Sequence, residues 1–288
     1  VKIVVTGAGG NLGRVVIPAL REAGHDVREF DLGAGGDVRN ADAVARAVEG
    51  VDAVVHAAAL HGVHLDRWSP HDFWATNVTG TFNVYAAAPP RVVLCSTMGV
   101  YGHPTEEPAT IDEDAPVSPR DVYGLSKALC EEIARFHARS GETKTVALRL
   151  GMFVPETFER YGFRLLFGGV DDRDVAQAVL LALDHEPAGG FDVFDVMAAT
   201  PLAPEDAQEL ANDPLPVLER HWPGVGEVVA RRRVDVGEVV WGATLWPVEK
   251  ARRVLGYEPR YGFGEFLAAL DAGDESHYPF AGLPQWGV

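Results

Sequence analysis

Hydrophobic and polar positions along the chain fall into blocks that switch from one period to another. Residues 1–5 are a short, mostly β-branched apolar run, the pattern of a buried parallel strand. Leu12, Val15, Val16, Ala19 and Leu20 then recur at helical spacing, and Gly24 closes that stripe. The same reading predicts strands over 26–30, 51–55, 91–95, 145–150 and 191–197. Between them it predicts helices over 41–49, 72–88, 123–140 and 171–184. Strands alternating with helices in this way predict an α/β fold, a doubly wound Rossmann-type parallel sheet. On this reading residues 1–150 form a dinucleotide-binding domain to which 171–197 return. Residues 151–170 and 198–288 form a small C-terminal substrate lobe, where prolines, short helices and the tryptophans Trp222, Trp241 and Trp246 blur the pattern.

The junction of the first strand and helix carries the first chemistry. Thr6-Gly7-Ala8-Gly9-Gly10-Asn11-Leu12-Gly13 is a glycine turn opening onto a helix N-terminus. Unpaired N–H groups and the positive dipole end would face a bound pyrophosphate there. The spacing is Gly7-x-x-Gly10-x-x-Gly13, with Leu12 where the commoner G-x-G-x-x-G pattern has its third glycine. Gly7, Gly10, Asn11, Leu12 and Gly13 are therefore expected against a dinucleotide. Asp31 ends the second strand, eighteen residues past Gly13. A carboxylate there accepts from both ribose hydroxyls and repels a 2′-phosphate, which favours NAD over NADP. Ala57, Ala58 and Ala59, small residues at a strand end, let backbone lie against the cofactor, and Leu150 ends a later strand at the same edge.

Composition narrows the class of partner. The 288 residues hold 25 Lys plus Arg against 42 Asp plus Glu, a formal charge of −17. So acidic a chain argues against nucleic acid and anionic membranes. Two cysteines suggest no disulfide framework, and an opening core strand leaves no signal peptide in prospect, so a cytoplasmic protein is expected. His56 reads as a packed, hydrogen-bonded histidine. His61, His64 and His71 fall in a loop pattern that suggests pocket lining, with no metal site expected. Gly80, inside a helical pattern, predicts a close neighbour. Glu106, Glu107, Asp112, Glu113 and Asp114 read as solvent-facing.

Tyr123 and Lys127 stand four apart at the start of a helix and so share a face. A neighbouring ammonium favours phenolate over phenol, which would make Tyr123 a general acid/base near neutral pH. Ser96 and Thr97 arrive on the preceding strand at the carboxyl edge of the sheet. Thr97 is placed to orient a substrate oxygen there, and Lys127 to hold the nicotinamide ribose as well.

These stretches together resemble the extended short-chain dehydrogenases/reductases, of the NAD-dependent epimerase/dehydratase type. The resemblance runs through 6–13, Asp37-Val38, 56–59, 77–84, 96–102, 123–127 and 250–260. It implies NAD across the sheet, Asp37 and Val38 near the adenine, and Thr97, Tyr123 and Lys127 as the catalytic set. It also implies a homodimer pairing the 72–88 and 123–140 helices. The run 149–156 with Arg164 is similar to the short uronate dehydrogenases, in which an arginine at the Arg164 position holds the substrate carboxylate. Ser96, Thr97, Met98, Met152 and Arg164 are the substrate-contact set on this resemblance. Met98 and Met152 stand where those enzymes carry asparagine and serine, implying a less polar pocket. The expected activity is NAD-dependent hydride transfer at a secondary alcohol or carbonyl carbon of a sugar-like or related small substrate. The alternatives are a nucleotide-sugar epimerase or dehydratase with tightly held NAD, and a non-catalytic NAD(P) sensor.

Overall fold

The computed structural model describes residues 1–102, 109–141, 143–240 and 244–283. Glu106, Glu107 and Trp241 lie outside the described residues. Six parallel strands form one sheet: β1 (Lys2–Thr6), β2 (Asp26–Phe30), β3 (Ala53–His56), β4 (Arg91–Thr97), β5 (Lys144–Leu150) and β6 (Phe191–Val196). Their order is β2-β1-β3-β4-β5-β6. The chain leaves β1 toward one edge and returns on its other side as β3, so the topological switch point lies between β1 and β3, where α/β sheets bind ligands. The central strands are buried on both faces, which is why they read as continuous apolar runs.

Helices cover both faces. α1 (Asn11–Glu22) buries Gly13, Val16, Ile17 and Leu20, a stripe turned slightly from the expected one, with Leu12, Val15 and Ala19 half-buried. α2 (Ala41–Val48) begins at Asn40, whose side chain accepts from Ala43 N–H. The helix expected over 72–88 runs unbroken over 70–86, with a wider turn inside it. α3 (Pro70–Phe73) and α4 (Gly80–Ala86) flank a π-helical turn at Trp74–Thr79. The wider turn presents Asn77, which holds Leu60 through both backbone atoms and donates to Ser126 Oγ at 2.8 Å. Its carbonyl oxygen accepts from the Cys130 thiol. Gly80 has the close neighbour its position predicted, since a Cβ there would stand 2.8 Å from Val38 Cγ2.

α5 (Val122–Ser140) starts at Asp121, which accepts from Gly124 N–H, and ends at Gly141 with φ +75°. α6 (Phe158–Arg164) opens the smaller lobe, and α7 (Asp172–Asp184) returns to the sheet. The lobe continues through α8 (Ala207–Asn212), α9 (Pro214–His221), α10 (Val225–Arg232) and α11 (Val236–Val239), and closes with α13 (Phe263–Ala272). Its own core gathers Phe158, Phe163, Phe263, Phe266, Tyr278 and Phe280. The expected boundary at 198 is corrected in one stretch. α12 (Glu249–Leu255) and its flanks belong to the sheet, with Trp246, Val248, Ala251, Leu255 and Tyr257 in the core of the larger unit. Tyr257 Oη donates to Met197 O, and Lys250 Nζ donates to Asp192 and to Val193 O, so polar anchors fix the apolar packing.

A buried polar chain runs beneath the carboxyl edge. Glu131, fully buried on α5, receives both Arg149 Nε (2.9 Å) and Nη2 (2.8 Å) from β5, and Ser96 Oγ (2.7 Å) from β4. Arg149 Nη1 donates to Tyr101 Oη, which donates to Asp195 on β6. Glu113, expected to face solvent, accepts from Asp195 N–H, which corrects that expectation. Burial, then the neighbouring Glu113 charge, raise the Asp195 carboxyl to about 8. An acid whose folded value lies above its unfolded value of about 3.9 stabilises the fold most at low pH, and that contribution is lost as pH climbs through the folded value. Asp195→Asn keeps an acceptor for Tyr101 without the charge. Its urea midpoint should exceed the parent's by a margin that widens from about pH 5 to about pH 9; a margin independent of pH would contradict the assignment.

Candidate active site

The carboxyl ends of β1, β3, β4 and β5 open onto a cleft of about 1130 Å3, beyond the roughly 300–1,000 Å3 usual for one small ligand. Gly7, Gly10, Asn11 and Leu12, at the turn between β1 and α1, line it. Gly7 has φ +70°, and a Cβ there would lie 2.7 Å from Ala58 N, so the turn approaches β3 in a way that only glycine permits. Its N–H donates to Phe30 O, and Gly10 N–H donates to Gly7 O. Asn11 Oδ1 is buried without a hydrogen-bond partner. A glycine cradle at the N-terminus of α1, which a Cβ at Gly7 would fill, fits a dinucleotide pyrophosphate, whereas the Asn11 oxygen, an acceptor, fits a hydroxyl or N–H of the same ligand.

Gly13 does not line the cleft. A Cβ there would meet Ala8 O at 2.2 Å, so this glycine lets α1 pack under the turn rather than touch a ligand. Asp31, Asp37 and Val38, the residues expected at the adenosine, line the cleft as well. Asp31 Oδ1 accepts from Gly33 N–H and faces Gly9, where a Cβ would stand 2.8 Å away. Asp37 is held by Arg39, whose guanidinium bonds both its oxygens and keeps the carboxyl below its ordinary value. Ala57, Ala58 and Ala59 form the floor after β3. His56 beneath them is the packed histidine expected, bridging Thr6 (2.7 Å) and Thr81 (2.9 Å), and burial pushes it down to about 3.

Thr97, Tyr123 and Lys127 converge on the middle of the cleft. Tyr123 and Lys127 are 8% and 5% exposed on the first turns of α5. Lys127 Nζ donates to Cys95 O at 2.8 Å, which ties the helix to β4. Burial raises the Tyr123 phenol well above its ordinary value, and a hydrogen bond from Thr97 acts in the opposite sense. The expectation that Lys127 lowers this phenol is thus corrected for the protein alone: its ammonium is directed at a backbone carbonyl, and desolvation dominates. Tyr123 packs on the loop after β3, with its ring 4.8 Å from His61 and 3.3 Å from where a Gly62 Cβ would be. That loop lines the cleft as its pattern suggested. His61 is driven down to about 4 by burial and by the Lys127 charge, so it is neutral beside the phenol. Among the described residues no group of three potential metal ligands forms.

Ser96 and Leu150 border the cleft, though the Ser96 hydroxyl is directed to Glu131. Met98 and Met152 line the far end. Arg164 does not. It is 2% exposed, paired with Glu156 and absent from the lining, so the expected carboxylate contact is corrected to a structural ion pair. Phe153, Phe167 and Trp246 complete that end and were not singled out in the sequence, where their spacing carries no periodic signal.

A profile described as the NAD dependent epimerase/dehydratase family matches residues 3–160. A uronate dehydrogenase of Pseudomonas syringae pv. tomato is 34% identical over 55% of this chain and 62% of its own length, so the chain spans about three fifths of that relative. A 2-alkyl-3-oxoalkanoate reductase of Stenotrophomonas maltophilia is 32% identical over 94% of this chain and 98% of its own. Among solved structures, a short-chain dehydrogenase/reductase superfamily protein from Agrobacterium tumefaciens with bound NAD superposes with TM-score 0.69 at 27% identity, covering 96% and 98% of the two chains.

Asp31→Asn tests the adenosine end. Fluorescence titration should show NADH binding weakened by about tenfold, the scale of a hydrogen bond to a charged acceptor. NADPH binding should weaken less or improve, and an unchanged ratio of the two would remove Asp31 from the ribose site.

Proposed function

The chain belongs to the NAD dependent epimerase/dehydratase family, and within it we propose an oxidoreductase that moves hydride at a secondary alcohol or carbonyl carbon of a sugar-like or related small molecule. One observation carries this reading: Thr97, Tyr123 and Lys127 meet in the same cleft as the glycine cradle and Asp31. Bound NAD supplies the hydride acceptor or donor. Tyr123 Oη takes or returns the proton of the substrate oxygen, and Thr97, lining the same cleft, holds that oxygen in line. Lys127 fixes α5 against Cys95 and brings positive charge beside the reacting groups, where a developing alkoxide is stabilised.

A homodimer and a cytoplasmic location belong to the same proposal. Trp74, Phe82, Leu125 and Phe136 are exposed large apolar side chains on the two helical stretches expected to pair, and burying them against a second copy would remove that area from water. The free, buried thiols Cys95 and Cys130 suit a reducing compartment. One relative is named for uronates and another for 2-alkyl-3-oxoalkanoates, so likeness alone leaves a sugar acid and an alkylated oxo compound both in reach.

Tyr123→Phe removes one oxygen from a packed ring. Turnover should fall by about 10²–10⁴-fold, the usual scale of positioned acid–base catalysis, with NADH affinity held within about twofold of the parent. Near-normal turnover would dismiss Tyr123 as the proton donor.

A further inference from the structure

The end of the cleft beyond Tyr123 differs chemically from the rest. Its walls include Met98, Met152, Phe153, Phe167, Val240 and Trp246. The Trp246 indole nitrogen is buried and makes no hydrogen bond, so the polar atom this side chain brings is a neutral donor. Among the described lining residues the lysines and arginines are Arg39 and Lys127. Arg39 sits at the adenosine end, bonded to Asp37, and Lys127 is bonded to Cys95 O. Arg164 is paired with Glu156 and is not part of the wall, although its charge is felt at His61, which is. Residues 103–108, 142, 241–243 and 284–288 contain no lysine or arginine in sequence. A carboxylate or diphosphate at this end would lose its hydration with no lysine or arginine in the adjoining wall to bond it, and the net charge of −17 would oppose its approach.

We propose that this end accepts an uncharged, apolar group, so that the substrate is a ketone or secondary alcohol with an alkyl or aryl body rather than a uronate or a nucleotide sugar. The proposal rests on the oxidoreductase reading for the reacting carbon and adds what surrounds it. Met152, 39% exposed, forms the rim, and the flexible thioethers of Met98 and Met152 adapt to apolar bodies of different shape.

The test separates binding from turnover. The protein saturated with NADH is titrated calorimetrically with unreactive aliphatic amides from acetamide to heptanamide, with glucuronate, and with UDP. Amide affinity should rise about three- to fourfold per methylene, and glucuronate and UDP should bind at least about tenfold more weakly than heptanamide. Met152→Arg should lower that preference by about tenfold or more by strengthening glucuronate binding. Flat amide affinities, or glucuronate or UDP binding as tightly as heptanamide, would overturn the proposal. NAD-dependent oxidation of 2-alkanols is followed separately. Chain-length-dependent amide binding without turnover of any alcohol would support the apolar subsite while refuting the hydride-transfer reading.

Discussion

Two buried ties between β4 and α5 set the rest of the site. Lys127 Nζ reaches Cys95 O, and one helical turn on Glu131 receives Ser96 Oγ. Contacts four residues apart on one helix, made to consecutive residues of one strand, fix both the rotation and the height of the helix. Thr97 is the next residue of that strand and Tyr123 lies one turn before Lys127, so the same ties set phenol against hydroxyl. The arrangement places a carboxylate and an ammonium out of water, which is costly unless each is bonded. Arg149 meets that cost for Glu131 with a two-point contact from β5, and the network passes on through Tyr101 to Asp195 on β6. Three adjacent strands thereby hold α5.

At the other end of the cleft the constraint is steric. Gly7 brings the turn after β1 so close to Ala58 that a side chain is excluded, and Gly13 does the same between α1 and Ala8. The two glycines have different consequences: the first lines the space for a ligand, the second only lets the helix begin where it does. Spacing in sequence cannot separate those roles, because both are demands for a missing Cβ and the direction of the missing atom is a three-dimensional fact.

The sheet was legible because its central strands are apolar on both faces and its helices are periodic. Thr97, Tyr123 and Lys127 stand out because Tyr123 and Lys127 share a helix and Thr97 ends a strand, and the structure brings all three to one cleft. Arg164 was misread because a guanidinium suits a ligand carboxylate and a protein carboxylate equally, and Glu156, eight residues earlier, reaches it only once α6 turns back. The 72–88 helix was legible as one helix, but the π-helical turn inside it was not, because it adds no change of composition; what marks it is the carboxamide of Asn77 bonding Leu60 in the loop after β3. Trp246 escaped notice for a like reason. It lies in a stretch without periodicity and reaches the cleft because α12 packs on the sheet instead of the lobe.

The phenol is where structure and chemistry press in opposite directions. Burial holds Tyr123 protonated, which suits a donor, while accepting a proton requires positive charge close by. Lys127, directed at Cys95 O, does not supply it in the protein alone, and the positive charge of an oxidised nicotinamide would do so when NAD is bound. Near-ultraviolet difference titration of the parent against Tyr123→Phe, with and without saturating NAD, measures that balance directly. The phenolate signal of Tyr123 should emerge above the ordinary tyrosine value of about 10 in the protein alone and move toward neutral pH with NAD bound. A titration that NAD leaves unmoved would contradict the account.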